Sequence, residues 1–450
     1  MASSTTKKSF RHYLYFLFGQ QFSIIGSLIV GFSITWWITV ETGSAVYLSI
    51  STFLMFLPQI IITPFAGVIS DRWNKKVIIA ISDTMQAILT FLLFAFFLMD
   101  LGSIWFVLLI NFLRASCFAF QLPAVQSLIP VMVPQDSLSR INGMNFLLSG
   151  VIYSVGPIIA ATLLSFFALE QIFLVDIFTF LIAALPLVLI KIPNIEKSEE
   201  ELVKLSFFKD LKGGFTAIKM IPGLLAMICF AMLYNFIFRP WAVLVPYFVR
   251  YIHNGSALDL AFLMTSNQIA NIIGAAIITF KKTWKHKIRI NILGAMFIAI
   301  TQIPAILAPH GNFLFMMIFL FAGNILFPIT VSTYLAIIQV VVSKGKIGRV
   351  MSIDHMISMA IAPIGALIAG PLAELWGVVN LLVICAILGI LFPLGIRFFT
   401  KINQLEAIER EKIEEEKIKR ELESEEKSRE EFDKKSEEEP RLVRTIEPVE

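Results

Sequence analysis

This chain has few of the residues on which soluble enzymes depend. Its three cysteines, Cys117, Cys229 and Cys385, all lie inside apolar runs, which makes them small buried hydrophobic residues and not a disulfide framework. The sequence contains no G-x-x-x-x-G-K-[ST] phosphate-binding loop, no G-x-G-x-x-G dinucleotide unit, and no His, Cys and carboxylate group at metal-ligand spacing. We therefore expect no enzyme, no cofactor, no metal site and no ATP-driven pump on this chain.

Apolar sequence dominates instead. The 450 residues are 57% hydrophobic, with a mean hydropathy of +0.79. The apolar residues come in runs of about 20, enough to cross roughly 30 Å of hydrocarbon as a helix. The first run is long and lacks a small-residue cleavage site, so it is expected to remain as a helix. The sequence predicts an all-α polytopic membrane protein with twelve transmembrane helices, at residues 14–38, 46–69, 77–99, 104–129, 142–166, 170–190, 224–249, 258–280, 289–308, 313–341, 351–373 and 378–399.

Positive charges are confined almost entirely to one side of the predicted membrane. With the N-terminus inside, the inner segments carry nearly all of the lysines and arginines between spans, and the outer loops carry only Arg250. Because cations are retained on the cytoplasmic side of a membrane, this asymmetry predicts that both termini are cytoplasmic in a protein of the cell membrane. A basic body embedded in a lipid bilayer is ordinary and gives no reason to expect nucleic acid as a partner.

The spans divide into two halves. Residues 1–190 form a first six-helix bundle, residues 224–400 a second, and residues 191–223 a cytoplasmic linker whose second part is predicted to be an amphipathic helix. Residues 401–450 carry 12 basic and 18 acidic side chains and form a charged cytoplasmic tail, predicted to be helical and then disordered from Ser424 onwards. This tail is either solvated or binds a partner as a coil.

Few charges occur inside the predicted spans, and each is a candidate for function. A charged side chain at the bilayer centre costs about 2.5–3.5 kcal/mol on insertion scales, so it should face protein or water. Asp176 is the first candidate for proton coupling, because burial disfavours its charged form, and an ion-paired Asp176 that holds two helices together is the alternative. Asp83 is the next candidate, or else a partner for the cations of the nearby loop. Arg114 is either functional or a helix-pairing arginine.

Arg239-Pro240 in the seventh span combines a cation with a helix breaker. Proline leaves a backbone carbonyl without its helical partner, so the helix should kink beside the arginine. This arrangement suits a gate or the binding of an anionic group, and a plain kink is the other interpretation. Polar residues at membrane depth either line a central cavity or make interhelical hydrogen bonds; the candidates for substrate contact are Gln20, Gln21, Asn235, Asn267, Asn271 and Asn324.

The loop between the second and third spans reads Gly67-Val68-Ile69-Ser70-Asp71-Arg72-Trp73-Asn74-Lys75-Lys76. It resembles the major facilitator superfamily pattern G-x-x-x-D-R-x-G-R-K, in which Gly67, Asp71, Arg72, Lys75 and Lys76 match and Asn74 replaces the second glycine. The glycine would let a neighbouring helix approach closely. The charged residues could pair with another helix end and separate when helices move. The resemblance implies a gating role for this loop.

Other stretches extend the resemblance over about residues 1–400. Arg114 occupies the place of the arginine in the superfamily's fourth-helix motif, and Gly156-Pro157 resembles the fifth-helix motif of drug antiporters. Pro157, Pro240 and Pro363 would bend their helices for rocking of the two bundles. Within the superfamily the chain is most similar to the macrolide-efflux and siderophore-exporter branch, as in Phe56-Leu57-Pro58 and Val133-Pro134-Gln135-Asp136.

The resemblance implies a transporter that exports amphipathic organic compounds, drug-like or macrolide-like, in exchange for protons by alternating access. A siderophore or metabolite exporter or facilitator of the same fold is one alternative. A non-transporting membrane scaffold that acts through its charged tail is the other.

Overall fold

The structure is a computed structural model that describes residues 2–190, 207–281, 284–343 and 345–442. These residues form fifteen α-helices. The predicted all-α membrane fold is confirmed, because twelve helical spans are long and apolar enough to cross a bilayer. The helices are α1 Ala2–Thr42, α2 Ala45–Arg72, α3 Lys75–Leu98, α4 Ile104–Met132, α5 Leu138–Phe166, α6 Leu169–Leu189, α7 Phe207–Met220, α8 Leu224–Tyr247, α9 Ala257–Phe280, α10 Lys287–Ile306, α11 Phe313–Asn324, α12 Leu326–Val341, α13 Ile347–Trp376, α14 Val378–Phe399 and α15 Gln404–Leu442.

One span is interrupted and consists of both α11 and α12. Pro328 has no N–H to donate to the carbonyl of Asn324, so the helical ladder loses a bond at the interruption. Gly274 of α9 packs against this point, where an added Cβ would overlap the carbonyl oxygen of Ile325. Glycine at this position therefore lets α9 approach the broken backbone directly.

The two bundles share one core at one membrane face and have separate cores at the other. We call the face that carries both ends of the described chain the terminal face, and the other the opposite face. Toward the opposite face, one buried cluster combines residues of both bundles, such as Ile38, Leu48, Val249 and Ala369. At the terminal face, each bundle has a cluster of its own, one including Tyr13, Leu128 and Ile190 and the other including Ile288, Val341 and Leu405.

Polar contacts between the bundles follow the same division. The Tyr251 hydroxyl donates to the backbone carbonyls of Thr39 and Val40, both at 3.2 Å, at the opposite face. There the Ser44 hydroxyl also donates to Glu374, at 3.0 Å. Nearer the middle, Thr265 donates to the carbonyl of Ser154 at 2.6 Å. Among the described residues, the shared core and these hydrogen bonds thus join the bundles toward the opposite face.

The linker helix and the tail both pack on the second bundle at the terminal face. Gly214 of α7 lies against the backbone of Arg349 in α13, and Ala217 and Ile218 are buried. The predicted linker residues 191–206 lie outside the described residues, as do 443–450.

The first turns of α15 are docked rather than solvated. Leu405 is fully buried, Glu409 pairs with Lys287, and the Lys412 ammonium donates to the carbonyl of Val341 at 2.7 Å. The helix then continues to Leu442, well past Ser424, where the sequence predicted disorder. Charge pairs four residues apart, such as Lys419 with Glu423, support such a polar helix.

Candidate functional site

An ion pair lies buried in the core of the first bundle. The Arg114 guanidinium contacts Asp176 Oδ2 at 2.9 Å, and both side chains are nearly inaccessible. Thr90 donates to the same oxygen at 2.8 Å and Ser27 donates to Oδ1 at 3.0 Å. Four helices, α1, α3, α4 and α6, therefore meet at one carboxylate whose charge is compensated and whose oxygens are occupied.

Glycine brings α1 close to α6 at this point. A Cβ added at Gly26 would lie 3.0 Å from the Cα of Asp176 and would overlap the hydroxyl of Thr179. The close approach allows Ser27, the next residue, to reach the Asp176 carboxylate. The local sequence of α1 thus positions the buried ion pair as directly as the charged residues do.

Asp83 is the second buried carboxylate, and its partners are neutral. Gln20 donates to Oδ2 at 3.0 Å, while the amide nitrogen of Gln121 donates both to Oδ1 and to Gln20 Oε1, the latter at 3.1 Å. Gln86 completes the group by donating to Gln121 Oε1 at 2.9 Å. Among the described side chains no cation forms an ion pair with Asp83, so neither Lys75 nor Lys76 is its partner.

The two carboxylates belong to one polar column in the first bundle. The Thr90 hydroxyl, which donates to Asp176, also donates to the backbone carbonyl of Gln86 at 3.0 Å, and Gln86 belongs to the Asp83 group. Protonating Asp176 would leave Arg114 without its counter-ion, whereas protonating Asp83 would neutralise a charge that has none. The two sites therefore differ chemically although both are carboxylates at membrane depth.

Arg239 lies between the bundles. Its guanidinium stacks on the ring of Phe56 at 5.1 Å, across the bundle boundary. Beside it is a cavity of about 210 Å³, lined by Phe56, Gln59, Ile60, Arg239, His355, Ser358 and Ala362. Pro240 is inside α8, as predicted, so the carbonyl of Phe236 lacks its helical partner next to this cavity.

The predicted amide candidates fall into two groups. Gln20 is bonded to Asp83, Asn267 accepts from Asn324 at 3.2 Å, and Asn235 donates to its own helix at Ala231. Gln21 and Asn271, in contrast, each hold a buried amide oxygen with no hydrogen-bond partner among the described residues. The first group makes interhelical or intrahelical bonds, and the second leaves acceptors free.

The described residues of the loop after the second span have different surroundings and different partners. A Cβ added at Gly67 would meet nothing within 4 Å, so no helix approaches closely there in this conformation. Asn74 caps α3, and Lys76 donates to the carbonyls of Val188 and Ile190, at 2.8 and 2.7 Å, at the end of α6. Lys75 is the first residue of α3. The side chains of Asp71 and Arg72 lie outside the described part of the structure, so the role of this pair as a latch stays a prediction.

The predicted bending residues all lie inside helices. Pro157 is in α5 and Pro363 is in α13. A Cβ added at Gly156 would sit 3.6 Å from Leu28, which is ordinary van der Waals contact. Gly370 of α13 is different, because an added Cβ there would collide with the backbone of α2 at Ala45. The tight crossing between bundles is thus at Gly370.

Sequence reasoning missed one buried carboxylate inside the spans. Asp354 in α13 is buried and accepts from the Tyr334 hydroxyl of α12. The next residue, His355, lines the cavity at Arg239. The sequence did indicate this residue, because Asp354 lies a few residues inside an apolar span, where a charged carboxylate is energetically costly.

Comparison with known proteins gives the family. The family model described as Major Facilitator Superfamily matches residues 16–366. The chain belongs to the Major Facilitator Superfamily. This membership confirms the prediction of a multi-pass membrane transporter and not an enzyme.

Curated relatives from two bacterial species are named macrolide efflux protein A. The protein from Streptococcus pyogenes is 26% identical over 361 residues, covering 80% of this chain and 89% of the relative. The protein from Enterococcus faecalis is 27% identical over 324 residues, covering 72% of this chain and 99% of the relative. A crystal structure of a bacterial homolog to the human lysosomal transporter Spinster, in an inward-facing and unoccupied conformation, has a TM-score of 0.67 at 14% identity and covers 90% of this chain and 98% of that one. This last likeness shows the fold.

Proposed function

We propose that this superfamily transporter exports amphipathic organic compounds in exchange for protons. The similarity to macrolide efflux proteins supports the substrate class and the direction. The distribution of lysine and arginine supports a cytoplasmic terminal face in the cell membrane. In that orientation, the core that the two bundles share lies toward the outer face of the membrane.

The observation that carries proton coupling is the environment of Asp83. A buried carboxylate bonded only to amides can gain and lose a proton without stranding a buried cation. We therefore place Asp83 first and Asp176 second as proton carriers, which reverses the order predicted from the sequence. The ion pair of Arg114 with Asp176, together with Ser27 and Thr90, joins four helices.

Protonation of Asp83 would also change the geometry of its helices. Ionised Asp83 accepts hydrogen bonds from Gln20 on α1 and from Gln121 on α4. A protonated carboxyl has one oxygen that donates, so at least one of these amides must turn or move. Because α1, α3 and α4 are joined through this group, the protonation state biases how they pack. That bias is what alternating access requires of a coupling site.

The test is uptake of a fluorescent amphipathic compound into inverted vesicles under an imposed pH gradient. We expect Asp83→Asn to abolish gradient-driven accumulation while keeping exchange of the compound at equal concentrations, since binding and rocking do not need net proton movement. Asp100→Asn is the matched control, because Asp100 lies in an opposite-face loop at a positive φ that Asn tolerates. Accumulation by Asp83→Asn at the wild-type level would reject Asp83 as the carrier.

A further inference from the structure

We propose that the cavity at Arg239 binds an anionic group, such as a carboxylate, on the compound that is transported. This inference rests on the proposed export function and adds the charge class of the substrate. The residues that carry it are Arg239, Gln59, Ser358 and Phe56, which line one cavity between the two bundles.

The first step is the missing counter-ion of Arg239. Arg114 and Arg239 both lie well inside their spans, and Arg114 has Asp176 as a partner at 2.9 Å. Arg239 forms no ion pair with a described residue, and its Nε is buried with no hydrogen-bond partner. An unpaired cation at membrane depth is costly and marks a functional site. An anionic ligand would supply the partner that the protein leaves out.

The second step is that no carboxylate among the described side chains pairs with the guanidinium. Asp354 is the residue before the cavity-lining His355 in α13. Its carboxylate already accepts a hydrogen bond from the Tyr334 hydroxyl inside the second bundle. Asp83 and Asp176 are held in the first bundle by their own partners. The guanidinium is therefore free to form a bidentate contact with a carboxylate, the geometry that arginine favours.

The third step concerns the size and lining of the cavity. About 210 Å³ is below the 300–1,000 Å³ that encloses a drug-sized ligand. The cavity can hold a carboxylate with a small apolar body but not a whole large compound. Gln59 and Ser358 provide neutral hydrogen-bond groups, and Phe56, Ile60 and Ala362 provide apolar contact. The cavity therefore suits the anionic end of an amphipathic molecule.

The fourth step is the position between bundles. The lining residues come from α2 of the first bundle and from α8 and α13 of the second. The Arg239 guanidinium already contacts the Phe56 ring across this boundary. A ligand bound to the guanidinium would touch both bundles, so its presence would affect their relative movement directly. The charge of a bound compound would therefore affect how the two bundles move relative to each other.

The test uses three ligands of similar shape and different charge: 2-naphthylacetate, neutral 2-naphthylacetamide, and cationic 2-naphthylmethyl-trimethylammonium. Full-length protein in bilayer discs of zwitterionic lipid binds labelled 2-naphthylacetate, and the other two compete. We expect Arg239→Gln to weaken binding of the acetate by about tenfold or more and to leave the amide unchanged. Arg239→Lys should give an intermediate loss, because the charge remains without the planar fork.

Arg250→Gln is the matched control, since Arg250 is exposed at the opposite face and should bind as wild type does. Equal binding of the acetate by wild type and Arg239→Gln, with the variant melting normally, would overturn the inference. So would wild-type binding of the amide as tight as that of the acetate.

Two further experiments are needed. One distinguishes a lipid headgroup from a transported compound as the ligand, and the other distinguishes failure of this inference from failure of the proposed export. If an anionic lipid headgroup fills the site, adding phosphatidylglycerol to the discs should abolish the Arg239-dependent binding, which would overturn the assignment to a transported compound. If wild type accumulates amphipathic cations under a pH gradient but shows no Arg239-dependent anion binding, this inference fails and the proposed export stands. If Arg239-dependent anion binding occurs without any gradient-driven transport, this inference stands and the proposed export fails.

Discussion

The two bundles treat buried charge in different ways. In the first bundle, Asp176, Arg114 and Asp83 each have side-chain partners on other helices of the same bundle. In the second bundle, Arg239 forms no ion pair with a described residue, while Lys287 pairs with Glu409 of the tail at the terminal face. The difference teaches that the partner of a buried charge, more than its depth, indicates what the charge is for.

This comparison predicts that replacing Arg114 and replacing Arg239 change the stability of the protein by very different amounts. Arg114→Leu removes the only described cation from Asp176, and breaking a buried pair from one side costs about 3–5 kcal/mol. The double change Arg114→Leu with Asp176→Leu should recover much of that loss. Arg239→Leu strands no partner and should melt near the wild-type temperature. Thermal melting in detergent measures all three.

The arginine comparison would be broken if Arg239→Leu melted as low as Arg114→Leu. That result would mean that Arg239 has a structural role through packing, with its stem and ring contact as the stabilising part. Failure of the double change to recover would instead point to the hydrogen bonds of Ser27 and Thr90 as the main support of this region.

Glycine offers a second contrast between the bundles. Gly274→Ala places a Cβ onto the carbonyl oxygen of Ile325, and we expect it to destabilise the second bundle by about 1–3 kcal/mol, as overpacking does. Gly156→Ala places a Cβ at 3.6 Å from Leu28, where there is room, and should be close to neutral. Melting temperatures of the two variants check the prediction, and a Gly156→Ala loss as large as that of Gly274→Ala would contradict it.

Docking of the tail is the third point of comparison. Glu409→Ala leaves Lys287 with a mostly buried ammonium and no carboxylate, so the first turns of α15 should detach more often. Limited trypsin digestion should then cleave at Lys412 several times faster than in wild type. Glu421→Ala, in an exposed part of the same helix, is the control and should digest normally. An unchanged rate for Glu409→Ala would show that the other contacts, such as buried Leu405 and Ile402, are sufficient to hold the tail.

Hydropathy predicted the twelve spans because bilayer thickness dictates the length of an apolar run. It could not decide between the two interpretations of Asp176, because its partner Arg114 is 62 positions away in sequence and only helix packing brings them together. Docking of the tail could not be predicted from the sequence either. Glu409 and Lys412 look like solvated charges in a run of such residues, and their burial depends on where α10 and α12 end.

The smallest expected effect concerns pH at the opposite face. Burial, and then the neighbouring His310, lower the pKa of His253 below its usual value. His253 also accepts a hydrogen bond from the Gly311 N–H at 3.2 Å through Nδ1, which requires the unprotonated nitrogen. The neutral form is therefore favoured in the folded protein.

The sign of the pH effect follows from this preference. Below about pH 6.5 an unfolded chain takes up a proton that folded His253 resists, so stability present above that pH is lost as the pH falls. Asn can still accept from Gly311 but does not titrate. We expect the melting temperature of wild type to drop slightly more between pH 7.5 and 5.5 than that of His253→Asn. Since His310 stacks on His253 at a centroid distance of 6.0 Å, His310→Asn should reduce the same slope by a smaller amount, and a slope in His253→Asn equal to wild type would place the titrating group elsewhere.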